Sequence, residues 1–167
     1  MRLLPGVRVI TYPELEGVQS MQELLGNSHQ IVILFLTTGL SEGHWTGIFM
    51  RGGTLNFFDS YALAPDEEDG WLSHNKLVEL HEDIPLVRNL FKKAHKEGYP
   101  IAYNHIAYQD PDDTNSETCG RHVAVRLQHA DLSDSQYAQL INREIRDLGV
   151  ETADDVVVYL THAILGK

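Results

Sequence analysis

The sequence predicts an α+β domain with a mainly antiparallel central sheet packed on helices. Three observations predict it: one continuous apolar run, one glycine-centred hairpin, and late helices that start on recognisable capping residues. Strand-like segments fill the first two-thirds of the chain and helical ones the last third. That segregation suits α+β rather than alternating α/β architecture. At 167 residues, with no repeat, linker or low-complexity tract, residues 1–167 are expected to form one domain able to bury a core unaided.

The elements follow in order. Glu14 to Leu25 reads as an irregular helical start closed by Gly26 and Asn27. IVILFL (Ile31–Leu36) is continuously apolar and rich in β-branched residues, hence a strand covered on both faces. HWTGIFM (His44–Met50) and LNFFDSY (Leu55–Tyr61) flank Gly52-Gly53, which signals a tight hairpin. Polar residues from Pro65 to Asn75 read as a loop, Pro85 to Glu97 as a helix ending at Gly98, and Ile101 to Tyr108 as a further strand. Thr118 is the expected N-cap of a helix from Cys119 to His129. Ser133 with Gln136 makes a capping box for a helix closed by Gly149, and Thr152 with Asp155 opens a last helix running to about Leu165.

Composition narrows the function. A formal charge of −11 repels phosphate backbones, so nucleic acid is not an expected partner. Acidic clusters at Asp66–Asp69 (DEED) and at Asp110, Asp112 and Asp113 read as solvated loops, or else as a bias on what approaches a nearby cleft. Pro5 and Gly6 interrupt the N-terminus before a signal-peptide core can build up, and the longest apolar run, Ile31–Leu36, is too short to span a bilayer. A single cysteine rules out an internal disulfide or a CxxC zinc site and suits a reducing compartment. A soluble intracellular protein, with no membrane partner, is the expectation. No HExxH or HxH pairing is present and His74 and His81 read as surface residues, so neither a metal nor another cofactor is expected.

The lone Cys119 is either a small apolar core residue or a nucleophile, and the second role needs partners. With Gly52-Gly53 at the centre of the turn, Thr46 faces Asp59, Ile48 faces Phe57 and Met50 faces Leu55. His44 and Asp59 then become diagonal neighbours on one face, with Cα atoms about 7–8 Å apart. The apolar rest of that face (Ile48, Met50, Leu55 and Phe57) needs a cover. The helix behind Cys119, with Val123, Leu127 and Ala130 on one stripe, is the expected one. Docked with its N-terminus toward His44, that helix brings thiol to imidazole. The helix terminus and a protonated histidine both favour thiolate, His44 would move the proton, and Asp59 would orient the ring. The plainer alternatives are a hydrogen-bonded histidine at a strand end and a surface acid beside a turn.

The order GHW, FFDSYA, a glutamine, then TCGRH resembles the adenain-like cysteine proteases. That family comprises the adenovirus maturation protease with its viral relatives and, more distantly, the proteases of SUMO and other ubiquitin-like proteins. The matching positions are His44-Trp45, Asp59, Gln109 and Cys119-Gly120, and GVQSMQELL (Gly17–Leu25) resembles the segment before the central strand in small viral members. The likeness runs from about Gly17 to Ala130. It implies a papain-like, circularly rearranged core with Cys119 as nucleophile, His44 as general base and acid, and Asp59 orienting His44. It further implies that Gln109 and the Cys119 backbone N–H receive the oxyanion, and that Trp45 and Gly120 line the substrate cleft.

Two departures stand out. The segment DPDDTNSET between Gln109 and Cys119 is longer than the family's gap, which leaves Asn115 or Asn104 as alternative oxyanion donors. Activation by a peptide joined through a second cysteine, or by DNA, does not carry over, given one cysteine and this charge. The resemblance implies cleavage after glycine in small-residue motifs of viral structural precursors. The site of action would be host cytoplasm or nucleus, with packaging in the virion a further option. The alternatives are a deconjugase of ubiquitin or a ubiquitin-like protein, a triad-based acyltransferase, and a non-catalytic binding domain.

Overall fold

The computed structural model describes residues 6–38, 42–110 and 117–165. A mixed sheet holds five strands in sequence order: β1 (Arg8–Thr11), β2 (Gln30–Leu36), β3 (Gly43–Arg51), β4 (Thr54–Phe58) and β5 (Ile101–Tyr103). The two inner pairings, β2–β3 and β3–β4, are antiparallel, while β1–β2 and β4–β5 are parallel. The α+β class therefore holds, and the mainly antiparallel sheet is corrected to a mixed one. The short edge strand β1, with Arg8 and Val9 exposed, carried too little apolar pattern to be read.

Gly52 and Gly53 turn with φ of 54° and 79°, backbone that glycine adopts without penalty. The hairpin register is the expected one, with Ile48 opposite Phe57 and Met50 opposite Leu55, but the ladder stops at Gly47–Phe58. On β3's other side, Gly43 is required sterically: a Cβ there would lie 1.8 Å from the Phe35 carbonyl oxygen. That close approach seats the start of β3 against β2 immediately before His44.

Two apolar layers sandwich the sheet. One face (Ile31, Ile33, Phe35, Ile48, Leu55 and Phe57) packs on α1 (Met21–Leu25) and on Val87, Leu90, Phe91 and Ala94 of α3 (Leu86–Lys96). The other face (Val32, Phe49 and Phe58) packs on α4 (Cys119–Gln128), backed by α5 (Asp134–Leu148) and α6 (Ala153–Leu165). The expected cover is thus reversed, since α3 takes the Ile48 face and α4 the opposite one. Both faces of β3 are apolar, so alternation alone could not assign the helices. Gly47 leaves the space that α4 needs, for a Cβ there would stand 3.1 Å from Val123.

Other boundaries also differ. The Pro65–Asn75 loop contains a 3-10 turn, Glu67–Trp71, and the start of α2 (His74–Leu80), capped by Ser73 accepting from the Lys76 N–H. Only Leu77 of α2 is buried, so it offered little periodicity. His74 and His81 are exposed, as expected. β5 ends at Tyr103 rather than Tyr108, because Asn104 turns its side chain onto the end of β4. Both late helices start as read: Ser133 and Gln136 form a reciprocal box, Gly149 closes α5 with φ of 67°, and Thr152 caps α6 with Asp155.

Candidate active site

Where β4 ends, the chain is held by a side chain acting as a strand partner. The Asn104 Oδ1 accepts from the Asp59 N–H at 2.9 Å, and its Nδ2 donates to the Asp59 carbonyl at 2.6 Å and to the Ile106 carbonyl at 3.1 Å. A carboxamide nitrogen has two protons, and both are used. Asn104 is therefore not an oxyanion donor. Asn115, the other alternative, lies outside the described residues, as do Asp112 and Asp113.

With its backbone clamped, Asp59 is fully buried and aims one oxygen at each of two donors. Its Oδ1 accepts from the Tyr61 N–H at 2.7 Å, and its Oδ2 lies 2.6 Å from His44 Nε2. His44, buried too, has the Tyr61 ring stacked on it at 5.1 Å and the half-exposed Trp71 set edge-on at 5.1 Å. The diagonal His44–Asp59 pair thus exists although the regular ladder ends before it.

Helix α4 runs alongside β3: Leu127 accepts through its carbonyl from Gln30 at the hairpin end, and Gly120 lies against Trp45 at the other. A Cβ on Gly120 would stand 3.2 Å from the Trp45 ring, so this glycine lets the helix tip settle on the indole. Cys119 follows toward the strand start, partly exposed and near enough to His44 for its sulfur to favour the charged ring. Since Nε2 is held by Asp59, Nδ1 is the ring atom left for the sulfur. Burial opposes charge on His44, but its hydrogen bonds to Asp59 and Cys119, with their charges, prevail and raise its pKa to about 10. The ring is an imidazolium at neutral pH.

Gln109 is buried behind Cys119. Its Oε1 accepts from the Ser60 hydroxyl and its Nε2 donates to Thr118 Oγ1 at 2.9 Å. The long segment before Cys119 therefore still returns Gln109 to the residue preceding the thiol. Thr118 occupies the N-cap position in αR geometry without capping, a correction to its expected role: its hydroxyl bridges Gln109 and Asp154 of α6 instead. His122, fully buried, places Nε2 3.0 Å from the same Asp154 oxygen.

The acidic run at positions 66–69 is not the solvated loop its composition suggests. Asp66 is buried and accepts from the Tyr12 hydroxyl and the Arg88 N–H at 2.7 Å each, and Glu68 is only 4% exposed. Glu67 alone meets the expectation of exposure, and it accepts from the Ala64 N–H at 2.8 Å. One ligating atom each of Glu68, His44 and Asp59 lies within 4.8 Å of the others. Burial raises the Glu68 pKa to about 8, its own backbone N–H opposing and the Asp59 charge adding to the shift. Glu68 is thus protonated at neutral pH and adds no second negative charge beside Asp59.

The structure therefore brings Cys119, His44, Asp59, Gln109, Trp45 and Gly120 into one region. Sequence reasoning missed Glu68, Ser60, Tyr61, Trp71, His122 and Asp154, and gave Asn104 a different role. The only available signal was the adjacency of Ser60 and Tyr61 to Asp59 and of His122 to the TCGRH motif. Among the described residues, no helix is long and apolar enough to cross a membrane. No protein-family model matches the chain, and no curated protein matches it in sequence.

Proposed function

We propose that this chain is a cysteine endopeptidase of the adenain-like kind, on a circularly rearranged papain-like core, that processes viral structural precursors after glycine in small-residue motifs. The observation that carries the reading is a partly exposed thiol at a helix N-terminus, beside a buried histidine whose Nε2 is held by a buried aspartate. Cys119 sulfur attacks the scissile carbonyl, and His44 passes its proton to the departing amine as the C–N bond breaks. Water, deprotonated by His44, then hydrolyses the thioester and restores the thiol. The oxyanion of each tetrahedral intermediate is received by the Cys119 N–H, an amide at the helix start with no intrahelical acceptor, and by Gln109 Nε2. Trp45 and Gly120 border the cleft that admits an extended, small-residue segment.

The test has two stages. Iodoacetamide at about pH 6 should alkylate Cys119 rapidly in the wild type and slowly in His44→Ala, because a thiol without such a partner is inert there. A fluorogenic peptide library with glycine before the reporter should then be cleaved, and Cys119→Ala should not cleave it. Slow, His44-independent alkylation would sink the reading. Exclusive labelling by a ubiquitin-like aldehyde probe would redirect it to deconjugation.

A further inference from the structure

We propose that Asp154 is a positioning residue: through the Thr118 hydroxyl it fixes which end of the Gln109 carboxamide faces the nucleophile. The inference rests on the reading of Cys119 and Gln109 given above.

The chemistry of the relay sets its direction. A carboxylate only accepts hydrogen bonds, and a threonine hydroxyl has one proton. The Thr118 proton is directed at Asp154 Oδ1, so its oxygen turns a lone pair toward Gln109, which answers with Nε2–H at 2.9 Å. At the far end Ser60 donates its hydroxyl proton to Gln109 Oε1. Both ends thus require the same carboxamide orientation, with nitrogen toward the residue adjoining Cys119. An inverted amide would set Oε1 against the Thr118 lone pair and would bring a repelling oxygen to the oxyanion.

His122 holds Asp154 in place. It lies one helical turn beyond Cys119 on α4, is fully buried, and meets Asp154 Oδ1 at 3.0 Å through Nε2. Its Nδ1 is buried with no hydrogen-bond partner among the described residues. A neutral ring with its proton on Nε2 satisfies both facts, since a bare Nδ1 lone pair costs less in an apolar site than an unpaired N–H⁺. Burial, opposed by Asp154, lowers the His122 pKa, in keeping with that neutral form. The last helix is thereby tied to the start of α4 by a specific polar contact as well as by apolar packing.

Two reagents separate this role from simple stability. p-Nitrophenyl acetate acetylates sulfur through a tetrahedral oxyanion, expelling p-nitrophenolate. Iodoacetamide alkylates the same sulfur by displacing iodide, with no oxyanion. In Asp154→Ala and in Thr118→Val, acetylation of Cys119 should fall about tenfold or more while alkylation stays within about twofold, less than the loss from removing the donor itself. Thr118→Ser should restore acetylation, as should Asp154→Asn, whose Oδ1 still accepts, and Asp154→Ala should add nothing in a Gln109→Ala background. An unchanged ratio of the two rates in Asp154→Ala, or an equal fall in both, would overturn the relay while leaving the nucleophile intact. Wild-type Cys119 that reacts with neither reagent in a His44-dependent way would overturn the relay and the peptidase reading together.

Discussion

This chain contains two buried histidines that each meet an aspartate, and their pKa values shift in opposite directions. His44 lies 2.6 Å from Asp59 and His122 lies 3.0 Å from Asp154, so the pairs look alike. The second ring nitrogen separates them. In His44 it is left for Cys119, and the pKa rises to about 10; in His122 it meets no partner among the described residues, and the pKa falls. A fully buried aspartate with both oxygens engaged supports the first pair, whereas the Asp154 side chain is 23% exposed and shares its oxygen with Thr118. A carboxylate contact alone therefore does not decide whether a buried histidine is charged. The count of partners able to stabilise the charge does.

Removing the partner that distinguishes the pairs should have the largest effect. Cys119→Ala should lower turnover by about 10,000-fold or more and should bring the His44 pKa down, since one of the interactions raising it is gone; peptide cleavage and histidine NMR read the two effects. Next, neutralising the two aspartates should not be equivalent. Asp59→Asn should slow alkylation of Cys119 by about 100-fold, through loss of the group that orients the imidazolium, whereas Asp154→Asn should leave alkylation near the wild-type rate.

A smaller effect concerns stability against pH. The depressed pKa of His122 means the unfolded chain takes up protons there more readily, so its contribution is full above about pH 6.5 and is lost as pH falls below it. His122→Asn should flatten the fall of Tm between about pH 7 and pH 5; an unaltered slope would contradict this. The smallest effect belongs to the neighbour of the first pair. With a folded pKa raised from 4.5 to about 8, Glu68 is benign below about pH 4.5 and costs stability increasingly as pH rises from there to about 8, because the unfolded chain ionises first. Glu68→Gln, always neutral, should gain Tm over the wild type progressively as pH rises from about 5 to about 8, reaching a few degrees there, and little below about pH 4.5.

The first pair was legible in the sequence because a two-residue glycine turn fixes register, and register places His44 and Asp59 on one face. Gly43 and Asn104, which hold that geometry, carry no pattern: one acts by lacking a Cβ and the other by imitating a strand. The second pair joins residues 32 apart on two helices, and no local periodicity links them. Glu68 misled for a related reason. DEED has the composition of a solvated loop, and only tertiary packing, including the Tyr12 hydroxyl on Asp66, draws part of it inward. The face that α4 covers was undecidable from alternation, since β3 is apolar on both sides and only the steric need at Gly47 discriminates.

The most direct test of the proposed chemistry is the protonation state of the His44 ring, followed by ¹⁵N NMR and assigned through His44→Gln. Both ring nitrogens should carry protons through neutral pH, with a midpoint near 10 that falls in Cys119→Ala. A neutral single tautomer at pH 7 and above, titrating near the ordinary 6.5 whether or not the sulfur is present, would contradict it.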